Sequence, residues 1–106
     1  MTALQRCIRD LIGHGVTLCH KDKHRIIING AGDFLQQADL SAIIDYKYLL
    51  IHILPKDRVF TALDVDNALE HYEERTAILW HGGTGYDLQQ AKNMAIASAY
   101  QFMQSL

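Results

Sequence analysis

The sequence predicts an α+β fold in which a helix, a β-hairpin and further helices share one core. Residues 15–30, GVTLCHKDKHRIIING, alternate apolar and polar side chains on either side of a charged stretch, which is the pattern of a β-hairpin. Before and after the hairpin, apolar residues recur at three- and four-residue intervals, which is the pattern of amphipathic helices. We therefore expect a helix, a β-hairpin and a further helix over residues 1–55. A helical extension over residues 56–106, ending in an αα-hairpin, is expected to pack on them as one compact unit.

Length and composition are those of one small globular domain. The 106 residues are 49% hydrophobic and 21% charged, and the formal net charge is −2 at pH 7. This balance excludes wholesale disorder and a strongly basic nucleic-acid-binding chain. We find no secretory signal and no apolar run long enough to span a bilayer, so we expect a cytoplasmic protein that does not bind membranes.

The first helix and the first strand are predicted from apolar spacing and from a glycine stop. Apolar side chains recur at helical spacing over residues 2–12, and a Gly-His-Gly stretch then ends the helix. In the strand that follows, we expect Leu18 and His20 on one face and Cys19 on the other. Residues 21–23 are expected to form the turn.

The second strand, over residues 24–29, contains three consecutive isoleucines and is therefore apolar on both faces. Ile26 and Ile28 are expected to lie against the helices, which leaves Ile27 on the opposite face together with Arg25. The sequence leaves two alternatives for what covers that face. Either the C-terminal αα-hairpin packs on it, or a partner strand from another chain or a second copy pairs with the edge.

The rest of the chain is predicted to be mainly helical. The expected elements are a helix over 39–54 ended by Pro55, a connector over 56–64, and two helices over 65–81 and 87–105. The expected N-caps of the helices are Thr2, Asp39 and Asp87.

The cysteines and histidines do not form a metal or catalytic pattern. Cys19 and His20 are adjacent on a strand, so they point to opposite faces and cannot bind one Zn²⁺ ion together. Cys7 and Cys19 are expected to be small core residues. We therefore expect a protein that is not an enzyme and that holds no metal or cofactor.

Five aromatic side chains are of the types that are enriched in protein-binding hot spots. They are Tyr46, Tyr48, Tyr72, Trp80 and Tyr86. Because such rings are also ordinary core residues, we expect them to lie in the core of this small chain.

The first half of the chain resembles a known docking module. Residues 11–18 read LIGHGVTL, the hairpin follows, and the next helix contains Ile43, Lys47 and Leu50 at helical spacing. Over residues 3–54 this order resembles the TubC-type N-terminal docking domain, an αββαα module at the start of some nonribosomal peptide and polyketide synthase subunits. In that family the exposed hairpin captures a C-terminal segment of the upstream subunit, and the module can dimerise.

The resemblance, together with the doubly apolar strand, implies a homodimer that binds another protein or peptide segment through the hairpin edge. The residues expected to bind the partner are His24, Arg25, Ile26, Ile27, Ile28, Lys47 and Tyr48. Nothing downstream resembles a synthetase condensation domain, so the partner need not be a synthase.

The second half has a resemblance of its own. Residues 73–78, EERTAI, are followed by paired glycines and a helix that starts DLQQA. This order is similar to a tail in bacterial proteins of phages, plasmids and integrated elements, where it often follows the same TubC-like module. It implies that the protein comes from a mobile genetic element.

Two alternative functions stay open. Lys21, Lys23 and Arg25 could form a basic patch at the hairpin tip, which would suit a nucleic-acid-associated regulator or a host-defence inhibitor, such as a CRISPR inhibitor, of a phage or plasmid. The negative net charge does not favour nucleic acid as the partner. The other alternative is an orphan docking domain for a nonribosomal peptide or polyketide synthase subunit.

Overall fold

The protein combines a three-stranded antiparallel sheet with helices, and the α+β class with a C-terminal helix pair is confirmed. The computed structural model describes residues 3–22, 25–30, 41, 43–44, 46–83 and 85–106. The elements are α1 (Ala3–Leu11), β1 (Thr17–Asp22), β2 (Arg25–Asn29), α2 (Lys47–Ile53), β3 (Val59–Thr61), α3 (Ala62–His81) and α4 (Leu88–Gln104). The residues named above that lie outside this description are Thr2, Lys23, His24 and Asp39.

The sheet has the strand order β2-β1-β3, and both pairings are antiparallel. Leu18 of β1 lies opposite Ile28 of β2 and Phe60 of β3. Leu18 and Phe60 are buried, and Ile26 and Ile28 pack against the core. These residues define the inner face of the sheet, so the prediction that Ile26 and Ile28 face the helices is confirmed.

The neighbouring residues of each strand form a second row on the outer face. Cys19 of β1 lies between Ile27 of β2 and Val59 of β3, and we call these three residues the outer row. Val59 is 64% exposed, so the β3 end of the outer row is open to solvent. Cys19 is half-buried on this face, and the expectation that it is a core residue is wrong.

The third strand differs from the sequence prediction, which gives a connector over residues 56–64. Val59–Thr61 pairs with β1, and three residues are too few to show the alternation that identifies a strand in sequence. The helix that follows begins at Ala62 rather than at residue 65. Thr61 and Asp64 form a capping box, in which each side chain accepts a hydrogen bond from the other's backbone N–H.

The core lies between the inner face of the sheet and the helices. Its fully buried large side chains are Leu4, Ile8, Leu11, Leu18, Leu50, Ile53, Leu54, Val65 and Met103. Residues from both predicted segments therefore share one cluster. Because α3 and α4 contribute to this cluster, they pack on the inner face, and the alternative that they cover the face of Ile27 is wrong.

Two arginines connect elements that are distant in sequence. Arg9 of α1 donates to the buried carboxylate of Asp66 of α3, with 3.0 Å between Nε and Oδ1. Arg58 donates to backbone carbonyls at the end of α4, including that of Met103 at 3.3 Å, and lies over the ring of Phe60. A cation at these carbonyls also interacts favourably with the helix dipole.

The αα-hairpin extends beyond this core. All residues of α3 that are buried lie between Ala62 and Leu69, and residues 70–81 are half-buried or exposed. Over this distal part α3 packs on α4, where Ala91 and Ala95 allow a close approach. Among the described helices, none is both long and apolar enough to cross a membrane.

Candidate binding surfaces

The predicted partner-binding edge is the β2 side of the sheet. In the described part of the chain β2 pairs with β1 alone, so its other edge carries unpaired backbone groups. Ile26 and Ile28 point inward, whereas Ile27 is half-buried beside Cys19 on the outer face. Arg25 is exposed at the start of the strand. Of the hairpin residues assigned to the edge, those that the structure describes and that face outward are thus Ile27 and Arg25.

The two helical positions assigned to this surface lie at the start of α2. Tyr48 is 68% exposed, and Lys47 is half-buried. Ile44, one turn earlier in sequence, is also largely exposed. Because α2 contacts β2, Lys47 and Tyr48 lie on an element next to β2.

The basic patch carries less net positive charge than its sequence suggests. Lys21 and Asp22 belong to β1 rather than to the turn, and the register shift between His20 and Asp22 forms an irregularity there. Asp22 and Arg25 form an ion pair, with 3.2 Å between Oδ2 and Nε. The carboxylate of Asp22 therefore offsets one of the positive charges, and Lys21 remains as an exposed cation.

The expectation that the aromatic side chains are core residues is wrong for four of the five. Tyr46, Tyr48, Trp80 and Tyr86 are exposed, with Trp80 at 46%. Trp80 lies on the last turn of α3, beyond the part of the helix that reaches the core. Tyr72 is half-buried and packs against the core.

Three of these aromatic rings line one concave surface, which we call the aromatic groove. It has a volume of about 560 Å³ and lies between α3, α4 and the start of α2. Tyr46 and Leu49 contribute one wall, Tyr72 and Trp80 a second, and Leu88 belongs to the third. The groove is separate from the outer row, because none of the described residues that line it belongs to the sheet.

Polar groups in the groove are few. Among the residues that the structure describes, Glu73, Lys92 and His81 are the titratable ones in its lining besides the two tyrosines. Burial raises the pKa of the Tyr72 phenol, a hydrogen bond with Thr76 opposes this effect, and the Glu73 carboxylate adds to it. The Tyr72 phenol is therefore neutral at physiological pH and can donate a hydrogen bond.

The groove was not predicted from the sequence, although the helix that forms one of its walls was. Leu69, Tyr72, Thr76 and Trp80 recur at three- and four-residue steps and so share one face of α3. The sequence predicts only that residues 65–81 form a helix, and it does not single out this face. The position of Tyr46 against this face depends on a contact between distant segments, which periodicity does not contain.

The cysteines and histidines are dispersed. Cys7 is buried in the core, as expected, and Cys19 and His20 lie on opposite faces of β1. The imidazole of His20 is within hydrogen-bond distance of the Leu54 carbonyl, with 3.0 Å from Nδ1 to the oxygen, and its Nε2 is buried without a hydrogen-bond partner. Within the described ranges no group of three or more His, Cys, Asp or Glu residues could hold a metal ion.

Comparisons of the chain with protein-family models, with curated proteins and with solved structures found no match. The resemblance to the TubC-type docking domain therefore stays a prediction from sequence.

Proposed function

We propose that this protein is a non-enzymatic interaction module that binds another protein or a peptide segment along the β2 edge. The observation that carries the proposal is the position of β2, an edge strand whose outward side chain Ile27 continues an apolar row. The sequence resemblances support the same function and favour an origin in a bacterial mobile genetic element.

An added strand would make two kinds of contact with β2. Its backbone would pair with the N–H and C=O groups of β2 that point away from β1 and that the described residues leave unpaired, which supplies affinity in strand addition. A side chain next to Ile27 would extend the outer row by one position and shield it from water. A second copy of the chain can supply such a strand, in agreement with the expected homodimer.

The test uses the Ile27→Lys variant, which places a charge in the outer row without changing the inner face. Tagged wild-type protein and variant are used to capture proteins from a lysate of the source organism, with quantitative mass spectrometry. We expect a protein captured by the wild type to fall about tenfold or more with Ile27→Lys, since a buried charge would replace apolar contact. Light scattering of the purified proteins shows whether that partner is a second copy.

The matched control is Ile78→Lys, the same substitution at an exposed isoleucine of α3 that lies outside the sheet. It is expected to retain the partner. Circular dichroism must show that both variants are folded. If Ile27→Lys is folded and captures the same proteins at wild-type levels, and its oligomeric state is unchanged, the β2 edge is not the binding surface.

Hydrogen exchange then locates the contact on the wild-type protein. The amides of Arg25–Asn29 that face away from β1 are expected to become protected when the captured partner is added. Protection confined to helices would contradict strand addition.

A further inference from the structure

We draw no further inference here: the strongest candidate, the aromatic groove between α3, α4 and the start of α2, is an open apolar surface, and nothing that the structure describes shows what covers it.

Discussion

The two halves of α3 are held in different ways, although they belong to one continuous helix. Residues 62–69 contribute buried side chains to the core and connect to α1 through the ion pair of Asp66 with Arg9. Residues 70–81 contact α4, and part of this range lines the aromatic groove. The proximal half therefore contributes to the core, whereas the distal half packs mainly on α4 and leaves the surface of the groove exposed. A helix can thus support a core at one end and offer a binding surface at the other.

The largest expected effect is the loss of a buried leucine from the proximal half. Leu69→Ala should lower the free energy of unfolding by about 2–5 kcal/mol, because it leaves a cavity in the core. Leu79→Ala, at a half-buried position of the distal half, should cost about 1 kcal/mol. Urea denaturation of the two variants measures the difference. Equal losses at both positions would mean that the distal half is as closely packed as the proximal half.

A smaller effect is expected from the ion pair that ties the proximal half to α1. Asp66→Ala should lower the free energy of unfolding by about 2 kcal/mol, since it removes a charged hydrogen bond and leaves Arg9 without this buried partner. The same urea experiment measures it, with Glu70→Ala, at an exposed position of α3, as the control. A loss no greater than that of the control would show that the ion pair between Arg9 and Asp66 does not stabilise the packing of α1 on α3.

The smallest expected effect is a pH dependence in the distal half. The pKa of Tyr72 is raised in the folded protein, so the folded state retains the phenolic proton more strongly than the unfolded chain. The stabilisation from this group is complete below the ordinary tyrosine pKa of about 10 and is lost as the pH rises through the folded pKa. Unfolding free energies from pH 8 upward should therefore fall less steeply for Tyr72→Phe than for the wild type. Parallel pH profiles for the two proteins would mean that burial does not raise the pKa of Tyr72 enough to affect the free energy of unfolding.

The local features of the fold could be predicted from the sequence. Strand alternation correctly placed Ile26 and Ile28 inward and separated Cys19 from His20, because neighbouring residues of a strand point to opposite faces. The glycine turn and the cap at Asp87 likewise identified the final helix pair, and the capping box with Gln90 is present. These features depend on residues a few positions apart.

The features that were missed depend on distant contacts. β3 is recognisable through its pairing with β1, about 40 residues earlier in the chain, and not through its own three residues. The exposure of Trp80 follows from the length by which α3 exceeds the core, which periodicity does not reveal. The same apolar spacing can indicate a core stripe or a groove, and the difference lies in what packs against it.

The contrast between the two cysteines has a practical consequence for spectroscopy. Cys7 is buried in the core, whereas Cys19 is half-buried in the outer row beside the solvent-exposed Val59. A thiol-directed fluorophore should therefore attach first at Cys19, and Trp80 already provides a donor in the groove. Energy transfer from Trp80 to a label on Cys19 would therefore report the distance between the groove and the outer face of the sheet. A change in energy transfer when a partner binds at one surface would show that binding there changes the distance between the two surfaces.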